Sequence, residues 1–173
     1  MARGSPTPLE GAYLIRLLPP FAANLHKRLV KSPRLYWRDS GLLHSLLGLG
    51  AKADLAAQPW VGASWEGWVI EQILAARRAR GETLEATFFR SHDGLEADLV
   101  IDGGQKRELI EIKLTSSPAP EDLRRLERVG QLLKADRLIL LSRTKRSVTD
   151  GPRWSTNLGD YLRQTRSSAR AGG

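Results

Sequence analysis

"LEADLVIDGGQKRELIEIKLT", residues 95–115, reads as two strands joined by a turn at Gly103-Gly104. Side chains alternate in an extended chain, so Glu96, Asp98 and Val100 are expected on one face of the first strand. In the second strand Leu109, Glu111 and Lys113 are expected on one face, with Ile110, Ile112 and Leu114 on the other. Asp98 is a mid-strand carboxylate beside aliphatic residues. A buried carboxylate without a partner is costly, so a cation or a salt bridge is expected next to it. The glycine turn lets Asp98 meet Glu111 and Lys113 across a hairpin. Two readings follow for the second strand: an edge strand with one wet face, or part of a site where a hard cation takes the carboxylates and a phosphate takes the nearby positive charge.

Working outward, "EATFFRS" (85–91) reads as a strand before this hairpin, with a turn at Asp93-Gly94. A helix is expected from Pro120 to Lys134, and "DRLILLS" (136–142) reads as a fully buried strand that the helix joins as a parallel neighbour. Upstream, Ser64 is the expected N-cap of a helix running to about Arg80, with Trp65, Val69, Ile70 and Ile73 as its buried face. Glu66 lies on the inward side of that helix, or else is a first-turn acid favoured by the helix dipole; Glu71 faces elsewhere. Arg77, Arg78 and Arg80 read as surface charges complementing the helix C-terminus. The order is helix-strand-strand-strand-helix-strand.

Ahead of that unit, a flexible start leads to "AYLIRLLPP" (12–20) and "PRLYWRD" (33–39), two short strands joined by a basic stretch. Asp39 or Ser40 is expected to cap the helix "GLLHSLLGL" that follows. A short helix at "NLGDYLRQ" and a disordered tail are expected at the end.

The chain has 173 residues, enough for one domain or a domain with an appendage. With 27 Lys and Arg against 19 Asp and Glu, its net charge of +8 favours polyanionic partners such as nucleic acid. It has no cysteine, which rules out disulfides and thiolate metal sites and fits a cytoplasmic protein. His26, His44 and His92 are scattered without zinc spacing, so ligands to any metal are expected to be oxygens. No run of residues suits a membrane span or a signal peptide.

An Asp on one strand and Glu-x-Lys on the next, behind a helix that bears a Glu, resembles the PD-(D/E)XK nuclease superfamily in element order as well as in residues. Ala97 stands where that motif usually has proline. A closer resemblance covers about Leu9 to Leu141. The runs "YLIRLLPPFAANLHKRLVKSPRLYWRDSGLLHSLLGL", "GASWEGWVIEQIL", "GLEADLVI" and "IEIKLT" look like the C-terminal domain of unknown function of many prokaryotic AAA-type ATPases. No GxxxxGK[ST] sequence is present, so the chain is not itself such an ATPase.

The resemblance implies an α/β fold with a restriction-endonuclease-like mixed sheet core. It divides the chain into a winged-helix-like hairpin and helix over residues 1–61 and a nuclease-like domain over residues 62–173. It implies a catalytic set of Glu66, Asp98, Glu111 and Lys113, with Mg²⁺ or Mn²⁺ held by Asp98, Glu111 and the Ile112 carbonyl. The expected activity is hydrolysis of DNA phosphodiester bonds, with an AAA-type ATPase as a further partner. In the alternative reading the chain is a non-catalytic module that binds nucleic acid or the ATPase. Lys27, Arg28, Lys31 and Arg34, beside Tyr36 and Trp37, are the candidate phosphate contacts, or else form a solvated hairpin whose aromatics pack inward.

Overall fold

The computed structural model describes residues 7–21, 32–104 and 106–170. The elements are α1 (Pro8–Gly11), β1 (Ile15–Leu18), β2 (Arg34–Trp37), α2 (Ser40–Leu46), α3 (Lys52–Ala56) and α4 (Val61–Arg78), then β3 (Glu85–Arg90), β4 (Glu96–Asp102) and β5 (Arg107–Ile112). After these come α5 (Pro120–Leu133), β6 (Arg137–Leu141), β7 (Val148–Asp150), β8 (Arg153–Thr156) and α6 (Leu158–Arg170). The chain is a mixed α/β protein built on a six-stranded sheet of order β3-β4-β5-β6-β8-β7. β3, β4 and β5 form an antiparallel meander. α5 carries the chain over to β6, which runs parallel to β5, and β8 runs parallel to β6.

Alternation sorts the strand residues onto two layers of helix. Leu99, Ile101, Ile110, Ile112, Ile139 and Leu141 pack with Val69, Ile70, Ile73 and Leu74 of α4 and with Tyr161 of α6. Val100, Leu109 and Leu138 pack on the other face with Leu126, Val129 and Leu133 of α5. Helix–sheet–helix layering of this kind buries both faces of the central strands, which is why they read as near-continuous aliphatic runs.

The antiparallel pair β1 and β2 lies against α4. Arg34 and Tyr36 of β2, and Arg38 just beyond it, meet Glu66, Gly67 and Glu71 of α4. Gly67 permits that approach, since a Cβ there would lie 2.9 Å from Cδ1 of Tyr36. Beyond β1 the chain follows the outer edge of β3: Phe88 N–H donates to the Pro19 carbonyl at 3.0 Å and the Phe88 carbonyl accepts from Phe21 N–H at 2.6 Å. This covers an otherwise open sheet edge. Leu18 and Tyr36 lie in the same core as α4, so the residues on either side of position 61 share one hydrophobic interior.

Several expectations are corrected. α4 starts at Val61, with Ser64 N–H bonded to the Trp60 carbonyl, so Ser64 lies inside the helix and its Oγ sits 2.9 Å from His44 Nε2. Arg77 is not a surface charge. It is buried, with its guanidinium on Glu108, Glu82 and the Tyr161 hydroxyl. The segment after β6, for which no element was expected, forms the β7-β8 hairpin, and α6, expected as a short helix, runs on to Arg170. α1, capped by the Thr7 hydroxyl and Glu10, orders part of the start that reads as flexible. Asp39 caps α2, accepting from Leu42 N–H at 3.0 Å. Lys27, Arg28 and Lys31 lie outside the described residues. Among the described residues, no helix is long and apolar enough to cross a membrane.

Candidate functional site

A bulge puts Asp98 where it is. Thr87 pairs with Val100 and Phe89 with Ala97, so β4 advances three residues while β3 advances two, and Asp98 and Leu99 together oppose Phe88. The extra residue shifts the alternation. Val100 and Ala97 both pack on the α5 side, whereas Asp98 and Glu96 turn to the α4 side. Simple alternation had grouped Asp98 with Val100; the structure separates them.

At the same point β4 and β5 part. Their pairing runs from Asp102–Arg107 up to Leu99–Ile110. Beyond it, Asp98 Oδ2 accepts the Ile112 N–H at 2.8 Å, so a side chain takes over a bond that the ladder would have made. Glu111 is the next residue of β5, and Lys113 follows the strand, anchored by its N–H on the Leu141 carbonyl at 2.9 Å. Lys113 Nζ lies 2.7 Å from Glu111 Oε1. The other carboxylate oxygen, Oε2 of Glu111, is buried and has no hydrogen-bond partner among the described residues. A buried acceptor left without a donor is costly, which marks it as a position able to take a cation or a proton.

Glu66 projects from α4 onto the same cluster. It is the sixth residue of the helix and so belongs to the inward face and not to the first turn. Its Oε1 accepts from the Tyr36 hydroxyl and, at 3.2 Å, from Arg34 Nη1. The same Nη1 donates to Asp98 Oδ1 at 3.1 Å, and Nη2 donates to Glu96. Arg34 was expected among surface phosphate contacts. Its guanidinium lies instead between three carboxylates, over the Phe88 ring at 4.6 Å from the centroid. Glu96, Tyr36 and this use of Arg34 were not in the expected site, although Glu96 and Asp98 at i and i+2 carried a signal for their shared face.

Four carboxylates, Glu66, Glu96, Asp98 and Glu111, thus face three cations, Arg34, Lys113 and Arg90, which leaves a formal charge of −1. The protonation equilibria reflect the deficit. Burial, followed by the charges of Glu111 and Glu66, pushes Asp98 well above the usual carboxylate range, against the pull of the Ile112 N–H. Burial raises Glu66 and Glu111 as well, despite their partners Tyr36, Arg34 and Lys113. Burial would also raise Glu96, but the hydrogen bond and charge of Arg34 outweigh it and hold Glu96 below the ordinary range. The Tyr36 hydroxyl is pushed up by burial and by the Glu66 charge, so it stays a donor.

Among the described residues, no three Asp, Glu or His side chains form a ready-made metal cage. Two carboxylates and a backbone carbonyl nevertheless suit Mg²⁺, which keeps several waters and takes further oxygens from substrate phosphates. The orphaned Glu111 oxygen, the oxygen-only donor set and the deficit of positive charge fit such an ion at Asp98 and Glu111.

Residues 61–160, more than half of the chain, match the model of the family described as Domain of unknown function (DUF4143). The chain belongs to that family. The DUF4143 segment starts with α4 and supplies Glu66, Glu96, Asp98, Glu111 and Lys113. Arg34 and Tyr36 come from residues 6–53, which match a second model, Domain of unknown function (DUF8612). The charged cluster is therefore assembled from both matched segments. An uncharacterized protein of Mycobacterium bovis and one of Mycobacterium tuberculosis are each 41% identical to this DUF4143 chain over 111 residues. The match covers 64% of this chain and 24% of each relative, so the chain spans about a quarter of the length of these curated relatives. No solved structure matches it.

Proposed function

We propose that this chain is a metal-dependent phosphodiesterase acting on DNA, with a core of the restriction-endonuclease-like kind. The observation that carries the reading is the parting of β4 and β5 at Asp98. There a buried Asp, a part-buried Glu with one oxygen unpartnered among the described residues and a Lys converge at the open ends of two strands. Asp98 and Glu111, with the Ile112 carbonyl, would hold the ion. When bound, Mg²⁺ or Mn²⁺ would supply Lewis-acid polarisation of the scissile phosphate and an attacking water of lowered pKa.

The chain's own residues do the rest. Burial and the Ile112 N–H fix the Asp98 carboxylate in one orientation, so it needs no reorganisation when charge moves. The charge and hydrogen bond of Glu111 hold Lys113 protonated against its partial burial, and its half-exposed ammonium can stabilise charge developing on a phosphate oxygen. Glu66, on the Tyr36 hydroxyl, is placed to accept from a water in the cluster. The net charge of +8 favours approach of a polyanion. Incubated with plasmid and linear DNA, the protein is expected to cleave with Mg²⁺ or Mn²⁺ and not with EDTA; metal-independent cleavage, or none with either ion, would count against the reading.

A second reading rests on Arg34. Its ion pairs to Glu66, Glu96 and Asp98 supply internal counter-charge, as in a non-catalytic module that binds nucleic acid or an AAA-type ATPase through the same fold. Such a module would bind DNA with the salt dependence of phosphate contacts and leave it intact.

A further inference from the structure

We propose that Arg34 is a built-in counter-ion that competes with the divalent ion for this site, and that it passes from the carboxylates to a substrate phosphate when the ion enters. The proposal rests on the reading of Asp98 and Glu111 as a divalent-cation site.

Arg34 is the one residue of the β1-β2 pair whose charged group reaches Asp98 among the described contacts, and it does so with a fork that also spans Glu66 and Glu96. Its Nη1 occupies Asp98 Oδ1, while the backbone N–H of Ile112 occupies Oδ2. Both oxygens of the central carboxylate are therefore engaged. An ion that takes Asp98 must share or displace one of these bonds. The Ile112 N–H is part of the sheet at its point of opening and is held by the strand. The guanidinium is on a side chain that has rotatable bonds and keeps 18% of its surface exposed, so it is the partner that can leave.

Charge favours the same exchange. A guanidinium and a divalent cation on one carboxylate repel each other in a partly buried site, where screening is weak. Once the ion neutralises Asp98 and Glu111, less negative charge holds Arg34. The planar donor fork that matches carboxylates also matches a phosphate, so a phosphodiester brought to the ion is the natural new acceptor. Glu96, the most exposed of the three carboxylates at 32%, can keep one end of the guanidinium as it turns outward. Because Arg34 lies outside the DUF4143 segment, the hairpin carrying it acts as a latch supplied by the neighbouring segment.

The exchange predicts effects of opposite sign from one substitution. In Arg34→Gln, Mn²⁺ titrated alone should bind about tenfold more tightly than in the wild type, a coupling of ordinary size between two ligands of one site. The same variant should bind a short DNA duplex in Ca²⁺ about tenfold more weakly, because the phosphate loses its guanidinium. If Arg34→Gln fails to fold by circular dichroism, Arg34→Lys is used with the same criteria. It keeps the charge but not the fork, and shifts of about threefold in the same directions are expected. Equal or weaker Mn²⁺ binding by the variant would overturn the competition while leaving the ion site standing. Tighter Mn²⁺ binding with unchanged duplex affinity would overturn the transfer to phosphate. Failure of both wild type and variant to bind Mn²⁺ would overturn the ion site itself, and the proposal with it.

Discussion

Lys113→Ala should lower DNA cleavage by about 10²- to 10⁴-fold while leaving Mn²⁺ affinity within a factor of a few, whereas Asp98→Asn should lose both. The split follows from the geometry. Among the described residues, the ion pair of Lys113 with the cluster is to Glu111 Oε1 at 2.7 Å, which leaves the second oxygen of that carboxylate and both oxygens of Asp98 as donors for an ion. Removing Lys113 takes away a charge that acts on phosphate but no oxygen donor. Asp98→Asn keeps the shape and an acceptor for the Ile112 N–H, yet removes the charge that a hard cation needs. Asparagine also removes the repulsion of the Asp98 charge from Glu111 and Glu66 in the ion-free protein, so the variant should fold as well as the wild type. Cleavage retained in both variants would place the chemistry elsewhere.

Glu71→Gln should cost about 3 kcal/mol of stability, the range found when one partner is removed from a buried ion pair. Glu71 receives Arg16 from β1 and Arg38 beyond β2, so one carboxylate clamps both strands of the hairpin to α4. Its side chain is 9% exposed, that of Arg16 14% and that of Arg38 30%, so the substitution leaves two guanidiniums without their shared anion, and Arg16 with little water to replace it. For a chain of this size the melting temperature should fall by roughly 6 to 12 °C. The same clamp sets a pH dependence. Burial opposes it, but the hydrogen bond and charge of Arg16 and the charge of Arg38 hold the Glu71 pKa below its ordinary value. Its contribution is therefore complete above the unfolded carboxylate pKa and is lost as pH falls through the lower folded value. Melting curves of wild type and variant should converge under acid. A loss below about 1 kcal/mol at neutral pH would mean that the pairs behave like exposed ones.

The central sheet was legible because its strands obey the period of two and its helices the period of 3.6. Val69, Ile70 and Ile73 mark the buried face of α4, and the aliphatic run of β6 marks a strand covered on both sides. The pairing of Asp98 with the Glu111 strand was legible from the glycine turn. What alternation missed was the bulge opposite Phe88, because a bulge is a property of two strands in register and not of either one. The carboxylate partners of Arg34 were missed for a related reason. Arg34, Tyr36 and Arg38 alternate as a polar face would, and only the docking of β2 on α4 turns that face toward Glu66 and Glu71. Arg77 sits in the last turn of α4, where a basic residue ordinarily serves the helix dipole; Glu108 and Tyr161, distant in sequence, draw it inward. The β7-β8 hairpin did carry a local sign in the Asp150-Gly151 turn, but its strands are too short for a period to register.

The most direct test is a crystal of the protein soaked in Mn²⁺ and measured for anomalous scattering. A peak is expected between Asp98 and Glu111, within coordination distance of a carboxylate oxygen of each, with Arg34 displaced from Asp98. A soaked crystal with no peak there and Arg34 still bridging Glu66, Glu96 and Asp98 would contradict the ion-site reading, and would make the cluster a structural salt bridge.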